Sequence, residues 1–233
     1  MPFALKVIAH AKTDFDTKFG VPRQSGRVDA LEARIVFLPA YRNPDALRGI
    51  EGYSHLWLLW HFSEVKETEE FRPTVRPPRL GGNRAEGVFA TRSPYRPNPI
   101  GLSCVKLLRV EHTEKEGDVL VVSGADLMND TPIFDIKPYL PFADAHPDAK
   151  GGFAAAFETY ALDVRCPDAL LLRLPEGKRE ALLAVLREDP RPAYQNDPAR
   201  IYGFPFAGFE IKFSVDGEVL TVLDVIPSDK KHR

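Results

Sequence analysis

The chain has 233 residues, with 31 lysines and arginines against 33 acids and a formal net charge of −2. That length is enough for one large or two small domains with a buried core. The near-neutral balance excludes the overall basic character of a general nucleic-acid binder and leaves room only for a local positive surface.

The opening segment, residues 3–10, reads as a strand, and a second lies in residues 26–38 with Ala33-Arg34-Ile35-Val36-Phe37-Leu38 as its apolar body. Pro44 to Ile50 reads as a helical turn: Asn43 can cap it, Pro44 suits its first position and Gly49 ends it. Residues 54–62 (SHLWLLWHF) are almost continuously apolar, the pattern of a strand buried on both faces. Val88-Phe89-Ala90-Thr91 and residues 100–105 are two further β-prone runs, followed by strands over 119–123 and 133–139. Short strands separated by turn signals, with no helical periodicity between them, point to a barrel or sandwich and away from βαβ repeats. Residues 144–152 (DAHPDAKGG) are polar and turn-rich and form the best linker. Beyond them, residues 175–188 carry Leu182, Leu183, Val185 and Leu186 on one face of a helix stopped by Asp189-Pro190. Residues 209–225 read as a hairpin turning at Asp216-Gly217.

The stretch TVRPPRLGGNRAEGVFATRSPYRPNPIG, residues 74–101, concentrates the chemistry. It sets Arg76, Arg79, Arg84, Arg92 and Arg96 against one acid, Glu86. Its prolines forbid a regular helix, and the result is a rigid arginine loop suited to gripping phosphate or carboxylate. A solvated surface loop is the alternative. Three other groupings stand out: the turn Val21-Pro22-Arg23-Gln24-Ser25-Gly26; the run from Ser54 to Ser63-Glu64; and residues 126–142, DLMNDTPIFDIKPYLPF. Asp135 and Lys137, two apart, share one face of a strand and read equally as a structural ion pair or as substrate contacts. The loop at Asp126 to Thr131 could equally be an Asx-type turn with no further task.

Several chemistries lack their residues. No G-x-G-x-x-G follows a strand, and there is no Walker lysine, zinc spacing or G-x-S-x-G elbow. His55 and His61 share a strand face but would lie roughly 20 Å apart, so they cannot share a metal, and each reads as a hydrogen-bonded core histidine. Cys104 and Cys166 are too few for a disulfide framework, and Cys104 reads as a small buried hydrophobe. The N-terminus has no apolar core of signal length and no window approaches a membrane span, so a cytoplasmic protein without a membrane partner is expected.

The blocks PRQSG, DALRGIEGYSHLWLLWHF, RPTVRPPRLGGNRAEGVFATRSPYRPNPIGLS and DLMNDTPIFDIKPYLPF occur in that order, and YGFPFAGFEIKFSVDGEVLTVLDV follows near the C-terminus. Together they resemble the S-adenosylmethionine-dependent tRNA methyltransferases that act on threonylcarbamoyladenosine next to the anticodon. The resemblance implies a mainly β protein. Residues 1–145 would form a compact, single-sheeted β-barrel methyltransferase domain without a Rossmann fold, and residues 153–233 a small α+β C-terminal domain. It also implies a homodimer with cofactor sites near the subunit interface. Carried over by motif position, S-adenosylmethionine would be held by Pro22, Arg23, Gln24, Ser63, Glu64, Arg92, Leu102, Asp126, Leu127, Met128 and Asn129. Ser63-Glu64 stands where the family more often has a His-Gln pair.

The implied reaction is in-line transfer of the sulfonium methyl to the exocyclic nitrogen of the modified adenosine, with no metal. Alignment supplies much of the rate, and a base would help because that nitrogen is a poor nucleophile. Asp135, then His55, are the candidate catalytic residues. Arg76, Arg79, Arg84, Arg96 and Lys137 are the candidate substrate contacts, to RNA phosphate or to the threonyl carboxylate of the tRNA anticodon loop. The alternative is a module that binds a nucleotide or S-adenosylmethionine and RNA without methyl transfer.

Overall fold

The computed structural model describes residues 4–65, 70–77, 84–191 and 197–228. Six strands pair in a closed antiparallel ring in the order β1-β2-β7-β6-β3-β8. They are β1 (Ala9–Lys12), β2 (Glu32–Phe37), β3 (His55–His61), β6 (Ile100–Thr113), β7 (Gly117–Ser123) and β8 (Thr131–Pro138). Between β3 and β6 lies a two-stranded ladder of β4 (Thr74–Val75) and β5 (Glu86–Gly87). After the barrel come the short helices α1 (Pro141–Asp144) and α2 (Asp168–Leu171) and the long helix α3 (Glu176–Arg187). A second sheet has the order β10-β11-β12-β9, with β9 (Asp163–Arg165) parallel to β12 (Val219–Pro227). Its other strands are β10 (Tyr202–Phe206) and β11 (Phe209–Asp216).

Alternation builds the barrel interior. Leu56, Leu58 and Trp60 of β3 point inward and meet Ala33, Ile35 and Phe37 of β2, Val105 and Leu107 of β6, and Leu120 and Val122 of β7. A second core gathers Leu182, Val185 and Leu186 of α3 with Phe204, Phe206, Ile211, Phe213 and Leu220 of the second sheet. Phe15, Val28 and Leu31, from the segment joining β1 to β2, also belong to this second core. The barrel's longest loop before β3 is therefore anchored outside the barrel.

Several expectations are corrected. The first strand begins at Ala9 and residues 4–8 are not part of it, while Phe3 lies outside the described residues; Ile8 already bonds to both neighbours, donating to Ile133 at 2.8 Å and accepting from Leu38 at 2.9 Å. β3 is not buried on both faces, because His55, Trp57, Leu59 and His61 form a half-buried outer face. The strand shielded on both sides is β7, where Val119 and Val121 are as buried as Leu120 and Val122. The two histidines are consequently not core residues; His55 bonds Ser54 at 2.9 Å and His61 lies against Phe134. Cys104 is half-buried on the same outer side, not fully inside. Val88–Ala90 is a 3₁₀ turn, not a strand, closed by Thr91, whose hydroxyl donates to the Val88 carbonyl at 2.9 Å. The terminal hairpin turns one residue later than expected: Asp216 pairs with Val219, leaving Gly217, at φ 57°, and Glu218 as the turn.

Two glycines mark close approaches. Gly20, at φ 94°, abuts Phe204 so closely that a Cβ would lie 2.3 Å from its ring. At Gly101, opposite Trp60 across the β3–β6 ladder, a Cβ would lie 2.2 Å from the indole. The indole thus occupies the space that glycine leaves empty. Gly101→Ala is expected to destabilise the fold by about 1–3 kcal/mol, the usual cost of overpacking a core. Urea unfolding checks this; unchanged stability would mean that the indole moves freely.

Candidate functional site

The loops at one side of the barrel enclose an open groove of about 2110 Å³. That exceeds the roughly 300–1,000 Å³ of a pocket for one small ligand and leaves room for two molecules or a bulky one. Its walls come from the turn after Val21, the segment after β3, strand β4, the arginine loop before β6, the segment after α1 and Glu188 at the end of α3.

The turn at residues 22–27 is held from two sides. On the barrel side, Gly26 N–H donates to the Gly124 carbonyl at 2.8 Å, and Cys104 N–H donates to the Ser25 hydroxyl at 3.1 Å. On the other side, Arg23 donates to the Arg191 carbonyl at 2.9 Å. Arg27 forks onto Glu188, with both bonds at 2.9 Å, and adds a bond of 2.7 Å to the Glu158 carbonyl. Arg191 itself is buried and grips Asp189 through two bonds of 2.9 and 3.0 Å. Burial alone would raise the Asp189 carboxyl, but the bonds from Arg191 and Tyr160 outweigh it and hold it below the ordinary carboxylate range.

A polar line runs from the barrel interior to the groove. The indole N–H of Trp60 donates to the Ser103 hydroxyl at 2.9 Å, and that hydroxyl donates to Asp126 at 2.5 Å. Burial pushes the Asp126 carboxyl above the ordinary carboxylate range, against the opposing pull of Ser103, its own backbone and the Arg92 charge. Arg92 stands at the groove end of this line, donating to the Gln24 amide oxygen at 2.5 Å. Arg96 donates to the Thr91 carbonyl at 3.1 Å, which keeps its guanidinium on the groove wall.

The groove therefore brings together Arg23, Gln24, Glu64, Arg76, Arg92 and Arg96 of the residues expected from sequence. The others lie elsewhere. Pro22 is buried, and Ser63 is exposed beside Glu64 without lining the groove. Leu102 faces outward from β6. Asp126 sits behind Arg92, while Leu127 fills the barrel core. Its carbonyl and Asn129 are tied to Thr13 and Phe15, and the Met128 carbonyl accepts from Thr131. Arg84 pairs with Glu86 at 2.8 Å, away from the groove. Arg79 lies outside the described residues. Asp135 and Lys137 form a solvent-facing ion pair of 2.9 Å on the outer surface of β8, and His55 lies on the outer surface of β3; none of the three lines the groove. Sequence reasoning passed over Arg27, although it closes the same PRQSGR block, and also Arg72, Phe71, Phe89 and Tyr95 on the groove wall.

The position of Asp126 has a consequence for pH. A raised carboxyl value means that the folded chain binds the proton more tightly than the unfolded chain. Stability therefore falls as pH rises from the ordinary carboxylate range through the raised value, and the penalty is constant above it. Asp126→Asn keeps an oxygen for Ser103 to donate to and removes that slope. Relative to the parent, the variant is expected to gain stability as pH rises through that window. Urea unfolding over a pH series measures this, and a stability difference independent of pH would contradict it.

Comparison with known proteins agrees with this architecture. The tRNA-methyltransferase O N-terminal domain profile matches residues 10–145, and the TrmO C-terminal domain profile matches residues 168–228. The chain is 39% identical over 221 residues to the tRNA (adenine(37)-N6)-methyltransferase of Escherichia coli K12, covering 91% of this chain and 93% of that protein. It is 38% identical over 237 residues to a putative S-adenosylmethionine-dependent methyltransferase, RcsF, of Pseudomonas aeruginosa, covering 98% of this chain and all of that one (100%). The crystal structure of TrmO from Pseudomonas aeruginosa superimposes with a TM-score of 0.77 at 31% identity, covering 97% of this chain and 99% of that one. A closed barrel followed by a small mixed sheet is thus shared architecture, and the chain belongs to the tRNA-methyltransferase O family.

Proposed function

We propose that this S-adenosylmethionine-dependent tRNA methyltransferase acts on the exocyclic nitrogen of threonylcarbamoyladenosine at the adenosine beside the anticodon. The observation that carries the reading is the charge of the groove. Arg76, Arg92 and Arg96 line it with no carboxylate ion pair among the described residues. Guanidinium groups on a rigid wall that no carboxylate pairs directly suit ligands that bring their own anion. The cofactor carries a carboxylate, the threonyl group of the modified base carries another, and the RNA backbone carries phosphates.

The donor set fits the cofactor on this count. Arg23, Gln24 and Arg92 would hold it, with the Gln24 amide oxygen orienting the Arg92 guanidinium. When bound, S-adenosylmethionine supplies a methyl group already activated for transfer. The chain's task is then alignment and charge pairing, which account for large rate factors without a dedicated base. His55 and Asp135 stand apart from the groove, so we assign neither of them a proton in this reading. Arg76 and Arg96 remain for the RNA or for the threonyl carboxylate.

The reading is tested by mass spectrometry of nucleosides from tRNA incubated with the enzyme and cofactor. A methylated threonylcarbamoyladenosine is expected, and none in tRNA lacking the threonylcarbamoyl group. Methylation of both substrates alike would reject the modified base as the target. Cofactor binding without any product would instead favour an RNA-binding module. Arg92→Ala should weaken cofactor binding by about ten- to a hundredfold in calorimetry, the loss of one charge-assisted contact.

We infer further that the enzyme is a homodimer. Ile100 and Leu102 are exposed side by side on the outer face of β6, next to the half-buried Leu59 of β3, an apolar strip that a second copy would cover. Leu102→Asp is expected to shift sedimentation from dimer to monomer. A monomeric parent protein at micromolar concentration, with full activity, would exclude the dimer.

A further inference from the structure

Two large aromatic rings project from the groove wall, and among the described residues neither has a ring partner beyond the other. Phe71 and Phe89 are 54% and 72% exposed, with ring centroids 6.1 Å apart and planes 23° from parallel. Tyr95 is 62% exposed on the same wall. Leaving such rings in water has a hydrophobic cost, and the pair is not loosely mounted. The buried Val88 anchors the turn bearing Phe89 and donates its N–H to the Pro73 carbonyl at 2.9 Å, two residues after Phe71. The β4–β5 ladder continues that connection at Thr74–Gly87 and Val75–Glu86. The two phenyl groups are thus held nearly parallel by backbone pairing, not merely by their own contact.

The surroundings identify the class of occupant. Arg72 and Arg76, beside Phe71, carry no ion pair among the described residues, and Arg96 follows Tyr95. A purely apolar partner would leave those guanidinium groups desolvated and unmatched. An unpaired stretch of RNA offers flat bases to the rings and phosphates to the arginines, the pairing on which single-strand recognition is built.

Resting on the function proposed above, we propose that Phe71 and Phe89, with Tyr95 at their flank, form a stacking platform for an unpaired base neighbouring the target adenosine. The platform holds the anticodon loop open at the groove while the arginines pair with its charge. It recognises no particular base, since every base has a π face, and so it contributes affinity and orientation rather than sequence choice.

The probe is a threonylcarbamoylated anticodon stem-loop with 2-aminopurine in place of the nucleotide next to the target. Binding to the parent enzyme should quench its fluorescence. Phe89→Ala should abolish the quench and lower affinity by about tenfold, and Phe71→Ala should do likewise, whereas Phe89→Trp should retain both. The salt slope of binding should stay unchanged in these variants, in contrast to Arg76→Ala, which should reduce it by about one. Cofactor affinity by calorimetry should match the parent, which verifies an intact fold. Unchanged RNA affinity and quench in Phe89→Ala would overturn the platform alone. Affinity lost together with dimer dissociation in sedimentation would also overturn it, assigning the rings to a second copy of the chain. A parent enzyme that binds no anticodon stem-loop at all overturns both the platform and the function on which it rests.

Discussion

The site depends on a short turn pinned between two cores. Residues 22–27 are bonded to the barrel through Ser25 and Gly26, to the end of α3 through Arg27 and to the segment after it through Arg23. Neither attachment alone would fix the turn. The barrel side offers two backbone-directed bonds; the other side offers a forked ion pair, partly shielded, between Arg27 and Glu188. A forked guanidinium–carboxylate pair fixes direction as well as distance, which a lysine could not do here. Gln24, at the centre of the turn, is thereby presented to Arg92 across the groove.

The barrel contributes a second constraint of a different kind. Trp60 lies in space left by Gly101, and its N–H satisfies a serine hydroxyl that has no access to water. That serine in turn supports a carboxyl whose charge is poorly hydrated and which faces Arg92. A buried polar chain of this sort is sound only when each member is satisfied. The absence of a side chain at residue 101 thus bears, through three hydrogen-bonded side chains, on a carboxyl whose charge acts on Arg92 at the groove.

Much of the barrel can be read from apolar alternation, as at Ile35 and Phe37 or Leu56, Leu58 and Trp60, because each face of a strand meets one environment. Where alternation breaks, the reading stops early. The strand starting at Ile100 continues to Thr113, but an irregularity between Leu107 and Arg109 shifts its register and hides the second half. β10 contains Gly203 and Pro205, two residues that signal a break, yet it lies at a sheet edge, where proline removes no needed bond. β9 has only three residues and exists through its parallel pairing with a distant strand. In the site, clustered arginines announce themselves by composition. The facing of Phe71 and Phe89, and the burial of Asp126, arise from pairings between separated segments and leave no local trace.

Arg23 belongs at once to the groove wall and to the attachment that reaches Arg191 and the buried Asp189. That double membership ties the seating of the turn to whatever the groove holds through Arg23. Any molecule that binds better when the turn is seated must favour the seated arrangement by the same factor by which seating favours the molecule. The segment after α3 thus reaches the groove through one guanidinium, though no strand of the second sheet lines it.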